Sequence, residues 1–220
     1  MHSNLEQMLA NLAHRGPDGA GLWSEANVGL GHRMLWTTPE SLHERLPLYT
    51  GAGDLAITAD ARLDNRDELL TSLRLTDRPA GEISDSALIL AAYQEWGDAC
   101  PQKLLGDFAF AIWDGRKQHL FCARDHFGVK SFFYYASDTL MVFANEIKAL
   151  LTLSDVPRRL NETRIADYLT GIFEDQTATF YQGILRLPAA HTLTIDAHSM
   201  RLKRYWVLDP TYELRLMVLC

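Results

Sequence analysis

Between Gly106 and Asp114 the side chains of Phe108, Phe110 and Ile112 alternate with those of Ala109, Ala111 and Trp113. Both faces of such a strand are apolar, so the pattern predicts a central strand with a layer packed on each side. Asp114-Gly115 stops the run with residues that tolerate positive φ, and His119 to Ala123 is a second apolar run that can return antiparallel as a hairpin. Arg124 to Lys130 follows as a polar corner. Phe132 to Tyr135 and Leu140 to Ala144 then read as two further antiparallel strands, and Glu146 to Leu151 as a short helix.

Upstream, Leu5, Met8, Leu9 and Leu12 recur at helical spacing behind Ser3 and Glu6, which are placed as a capping box. A turn at Gly16-Pro17 leads to strands over Gly21 to Trp23 and Val28 to Leu35, joined across Glu25 to Asn27, and Thr37 to Pro47 lacks a period and reads as a loop. Leu55 to Ala61 is strand-like, and Asn65 can cap a helix running to Leu73. Ser84-Asp85-Ser86 starts a second helix with Leu88, Ala91, Ala92 and Trp96 on one side, which Gly97 ends. A short helical piece around Gln102 to Leu105 precedes the central strand. Beyond Pro157, Asn161 can cap a helix to Leu169, and Phe180 to Trp206 reads as short strands around Leu187-Pro188. Helices falling between groups of antiparallel strands imply an α+β domain, two stacked sheets with helices outside.

The 220 residues, 47% of them hydrophobic, suffice for one substantial core. A formal charge of −7 and the lack of any basic cluster argue against a nucleic-acid surface. There is no signal-peptide pattern and no twenty-residue apolar span, so no membrane partner is expected. Cys100, Cys122 and Cys220 form neither a disulfide framework nor a paired metal motif, which fits a reducing cytoplasm. Cys122 lies mid-strand and Cys100 before Pro101, positions of packing residues whose thiols burial would make inert. His14, Asp18 and His32 lack the spacing of a metal motif, so no metal site is expected. Arg124-Asp125-His126 could be an acid–base pair, but a polar corner more often satisfies turn backbone.

Five stretches, in order, resemble the N-terminal class-II glutamine amidotransferase domain of glutamine-hydrolysing asparagine synthetases: His14 to Gly19, Gly31-His32-Arg33, Asp64 to Leu69, Gly106 to Asp114 and Ala123 to Lys130. The likeness continues through Phe180 to Ile184 and Arg204-Tyr205-Trp206, the latter resembling the family's connection to its synthetase domain. Some wording, such as Trp36 to Ser41, is closer to lasso-peptide cyclase-like relatives. The resemblance implies a four-layer αββα sandwich of the N-terminal-nucleophile hydrolase type, with an amidotransferase core over residues 1–155, a segment toward the synthetase domain over 156–210, and a tail over 211–220. It also implies ammonia release from glutamine feeding ATP-dependent amidation of aspartate.

Against that family pattern the chain departs. The family's nucleophile is a terminal cysteine whose own α-amine is the base, whereas this sequence opens Met1-His2-Ser3-Asn4 on a helix, with the first strand missing, and so no catalytic residue is assigned. Alignment puts Met34 where an arginine would clamp the glutamine α-carboxylate, with Arg33 one position off on the opposite face. Asp60 and Ala61 replace the Asn-Gly pair of the oxyanion hole, where a carboxylate would repel developing negative charge. Asp85 alone matches, at the acidic position for the α-ammonium, and it could equally be a helix cap. The expectations are a vestigial glutamine site at Met34, Asp60, Ala61 and Asp85, glutamine binding weak or lost, and no glutaminase activity. No cofactor is expected in this chain, since ATP and Mg belong to the absent synthetase domain. That domain or chain is the expected partner; the alternative is a non-catalytic docking domain or fragment of a lasso-peptide cyclase-like ligase.

Overall fold

In the computed structural model, which describes residues 2–50, 54–76, 78–172 and 174–211, the strand of alternating phenylalanine and alanine is β5 (Gly106–Asp114). It lies inside a six-stranded antiparallel sheet that runs, in order, β11 (Met200–Arg204), β10 (His191–Ile195), β6, β5, β4 and β3 (Leu48–Tyr49). Its neighbours are β4 (Leu55–Leu63), which pairs along its whole length, and β6 (His119–Arg124). The register sets Ile112 opposite Ile57 and Phe121, and Ala111 opposite Thr58 and Cys122. Phe108, Phe110 and Ile112 thereby face α2 (Arg66–Ser72) and α3 (Asp85–Trp96), where Leu69, Leu88, Ile89 and Ala92 complete a core. Ala109 and Ala111 face the other way, toward Phe132, Tyr134 and Leu187. The predicted two-sided burial is what the strand has.

The turn after β5 differs from expectation in detail. The positive φ falls on Gln118, at 53°, rather than on Asp114 or Gly115. Asp114 instead turns its carboxylate inward, where Oδ1 accepts from the amides of Arg116 and Lys117. A glycine is required at the other end of β5: Gly106 has φ 137°, and a Cβ there would run into the Arg62 carbonyl.

The two strands that follow the polar corner leave this sheet. β7 (Phe133–Ala136) and β8 (Met141–Ala144) join β9 (Ile184–Arg186) in a second antiparallel sheet of order β8-β7-β9, facing the first across Ala109, Ala111, Cys122 and Phe132. Its far side is covered by Met8 of α1 (His2–Asn11) and by Ala149 and Leu150 of α4 (Ile147–Leu150). Helices, sheet, sheet, helices is the αββα order. β10 (His191–Ile195) and β11 (Met200–Arg204) extend the first sheet beyond β6.

The remaining strands, β1 (Gly19–Glu25) and β2 (Val28–Met34), form a separate hairpin, with Gly19 opposite Met34. Among the described residues β2 pairs only with β1 and β8 only with β7, so each presents an unpaired edge. Local capping also differs from the sequence reading. Ser3 lies within α1 rather than ahead of it. Asn65 precedes α2 without a side-chain cap; its amide ties the Lys103 carbonyl and the Leu105 amide instead. Ser84 caps α3 by accepting from Ala87, and Asn161 caps α5 (Glu162–Thr170) as expected. Among the described residues no helix is long and apolar enough to cross a membrane.

Candidate functional site

A cavity of about 850 Å³ runs between the layers and is lined by α1, both unpaired edges and the inner face of β4 and β5. Its wall is apolar along Leu9, Leu30, Ala109, Ala111, Met141 and Phe143, and polar where Arg15, His32, Thr58, Asp60 and Lys130 converge. These polar groups come from four places. Arg15 ends the turn after α1, His32 lies on β2, Thr58 and Asp60 alternate on one face of β4, and Lys130 closes the corner between β6 and β7.

Asp60 is held by two cations. Lys130 Nζ lies 2.6 Å from Oδ1 and Arg15 Nη2 3.5 Å from Oδ2. Arg15 also donates to Glu146 Oε1 at 3.3 Å, which His14 Nε2 and Lys148 Nζ approach at 3.0 Å and, through Oε2, 3.1 Å. The carboxylate of residue 60 therefore has a cation on each oxygen, one of them shared with Glu146.

His32 Nδ1 lies 3.1 Å from Thr58 Oγ1, and that hydroxyl donates to the Gly31 carbonyl at 3.3 Å. A hydroxyl has one proton; given to Gly31, it leaves Thr58 as the acceptor of an Nδ1–H. Burial pushes the His32 pKa down to about 4, against the attraction of Asp60, so the ring is neutral at pH 7.

Of the four residues aligned on a glutamine site, Asp60, Ala61 and Asp85 line the cavity. Met34 does not: it is buried in the hairpin against Gly19. Arg33 turns toward α1, its Nε donating to the Leu9 carbonyl at 3.0 Å. Asp85 is not a helix cap, since Ser84 has that role. Its carboxylate accepts from the Leu63 amide at 3.0 Å and pairs with Arg66. Burial raises its pKa, opposed by the Leu63 amide and Arg66. Nearby Glu44 accepts from Ser86 Oγ at 2.5 Å, and burial raises its pKa too.

The other candidates have structural occupations. Arg124 donates Nε to Lys130 O at 2.6 Å and Nη1 to Leu187 O at 2.7 Å, and reaches Gly128 O as well. Asp125 accepts from the amides of Phe127, Val129 and Lys130. The corner thus satisfies its own backbone, as the sequence suggested. Asp18 accepts from the Trp36 amide, while His14 meets Glu146 and His32 meets Thr58. Cys100 and Cys122 are wholly buried, and burial pushes both thiols far up. The sequence reading missed Lys130 and Arg15 as partners of Asp60. Both stand in motifs it quoted, but contacts 45 and 70 residues apart have no local signature.

Residues 1–206 match the family model described as a glutamine amidotransferase domain. Over 208 residues the chain is 33% identical to asparagine synthetase (glutamine-hydrolyzing) 3 of Bacillus subtilis, covering 93% of this chain and 34% of that protein. It is 29% identical over 208 residues to amidase chry2 of Gibberella zeae, covering 93% of this chain and 30% of that one. The chain thus spans about a third of the length of these curated relatives. Among solved structures, glutamine phosphoribosylpyrophosphate amidotransferase from B. subtilis superposes with a TM-score of 0.61 at 16% identity, over 92% of this chain and 46% of that one, a likeness of fold.

Proposed function

The chain belongs to the glutamine amidotransferase domain family, and from that premise we propose that it is the amidotransferase-type domain of an asparagine-synthetase-like ligase, without glutaminase turnover from the residues described. The observation that carries this reading is the Asp60–Lys130 pair at the aligned oxyanion position. A neutral amide donor is replaced there by a carboxylate whose cation is already engaged. The thiols of Cys100 and Cys122 support the same reading, since neither is exposed or ionised near pH 7. Met34, packed in the hairpin, offers no charge to an α-carboxylate, and Asp85 is committed to Leu63 and Arg66.

On this reading glutamine binds weakly, ATP and magnesium belong to a synthetase-type domain, and the amidated substrate is that domain's. Unpaired buried cysteines favour a reducing compartment, the cytoplasm. The test is glutamate formation from glutamine over hours with micromolar protein. The expected result is the uncatalysed background, unchanged in Met34→Arg or Asp60→Asn. Turnover by the unmodified chain that Cys122→Ala or Ser3→Ala abolishes would overturn the proposal.

A further inference from the structure

α5 is held to the protein at its start and is bare along one side. Asn161 caps it, accepting from the Arg164 amide at 3.2 Å, while the Asn161 side-chain and backbone N–H groups reach the carbonyls of Thr179 and Phe180 at 3.2 and 2.9 Å. Gly171 closes its last turn in the left-handed conformation, at φ 75°. Of the nine residues between these caps only Arg164 is buried. Ile165, Tyr168, Leu169 and, just past the cap, Ile172 recur at i, i+3, i+4 and i+7, the spacing of a helix face that packs. Yet Leu169 is 78% exposed, Tyr168 58% and Ile172 50%. Phe180, whose ring meets that of Tyr168 edge-on at 5.5 Å, widens the apolar face. A helix this short draws its stability from packing rather than from propensity, and here the packing stripe is left to solvent.

Charge brackets the helix. Arg158 and Arg159 precede it, Glu174 and Asp175 follow it, and all four are exposed. A helix dipole favours acids at the N-terminus and bases at the C-terminus, so this placement does not serve α5 itself. Counted along the chain, Arg158 and Asp175 lie equally far from the point between Ala166 and Asp167, and so do Arg159 and Glu174, and Ile165 and Tyr168. Two such helices laid antiparallel across a two-fold axis at that point bring the basic end of each to the acidic end of the other, with the apolar stripes between them. Laid parallel, they would set like charges together. We infer that α5 is a self-association surface whose occupant is the α5 of a second copy of this chain, antiparallel to the first. A lipid surface fits it less well, because interfacial helices are rich in Lys and Arg along the polar face, where α5 has Glu162, Arg164 and Asp167. The inference goes beyond the amidotransferase reading and does not depend on it.

Sedimentation equilibrium of the full chain from about 1 to 100 μM, the span in which a small interface dissociates, is the test. The expected result is a reversible dimer that weakens as salt is raised. Leu169→Glu changes an exposed position, so it should keep the circular dichroism of the parent while weakening the dimer at least about tenfold. Arg159→Glu alone, or Glu174→Arg alone, should weaken it about three- to tenfold, since a two-fold axis makes each change felt twice. The two together in one chain restore opposite charges across the axis and should return the dissociation constant close to that of the parent. A chain that stays monomeric throughout would overturn the inference, and its capture by anionic phospholipid vesicles, lost in Leu169→Glu, would assign the face to lipid instead. A dimer that Leu169→Glu leaves intact would overturn it as well, placing the contact elsewhere, as at the unpaired edges of β2 and β8. So would a dimer in which the double charge variant associates no better than the single ones.

Discussion

Lys130 Nζ lies 2.6 Å from Asp60 Oδ1, joining the corner after β6 to β4 in the wall of the cavity. The pair offsets the negative charge expected from residue 60 alone. With Arg15 on the other oxygen at 3.5 Å, one carboxylate carries two cations. Each partner remains partly exposed, so solvent screening limits the pair to the range of surface ion pairs.

A double-mutant cycle with Asp60→Asn and Lys130→Met should therefore give a coupling of about 0.5–1 kcal/mol in chemical denaturation, reduced in molar salt. Asp60→Asn alone should stay within about 1 kcal/mol of the parent, because Arg15 keeps Glu146 as a partner. A loss several times larger would mean that the pair is a closed structural element rather than a solvated one.

The layered architecture was legible because its signal is local. Phe108, Phe110 and Ile112 alternating with Ala109, Ala111 and Trp113 can be satisfied only between two layers, and the structure covers both faces. What sequence pattern could not supply was the sheet to which a strand belongs. β5 through β8 read as one antiparallel succession, yet the corner at Arg124–Lys130 sends β7 and β8 into the second sheet. Caps were legible at Ser84 and Asn161, whose side-chain oxygens accept from their helix amides, and not at Asn65, whose amide finds Lys103 and Leu105 about forty residues away. The site was legible as a set of aligned positions. Its charge balance was not, since Arg15 and Lys130 reach Asp60 only through the fold.

His32 gives a pH dependence whose sign can be worked out. Its folded pKa, about 4, lies below the ordinary value of 6.5. As pH falls the unfolded chain takes the proton first, so this contribution is complete above pH 6.5, is lost on the way down to pH 4, and changes no further below that. Relative to His32→Gln, the parent should lose up to about 3 kcal/mol of unfolding free energy across that window. The raised acids Glu44 and Asp85 act in the opposite direction, with stability lost as pH rises toward their folded values. Both remain in the variant, so the difference isolates His32. A ring titrating near 6.5 by NMR would refute the assignment of an imidazole neutral at pH 7.

The corner that switches sheets should be the most sensitive polar element of the chain. Asp125 is 1% exposed and its two oxygens accept from Phe127 N, Val129 N and Lys130 N at 3.1, 2.9 and 2.9 Å. Asp125→Ala would leave these amides without their acceptor, at a cost of about 3 kcal/mol or more. Asp125→Asn should recover part of the loss, because its amide keeps one oxygen able to accept while its NH2 would face a donor. Arg124, beside it, links the layers directly: Nη1 donates to the Leu187 carbonyl beyond β9, and Nε to that of Lys130. Arg124→Met keeps much of the aliphatic stem but orphans those carbonyls, and it should cost a similar amount. The two losses should add to less than their sum, since both residues brace the same loop. Lys130 sits in that loop, so loosening it should also release Asp60. A thermal shift for either single variant within the noise of the parent would show that the corner is held by its apolar neighbours rather than by these hydrogen bonds.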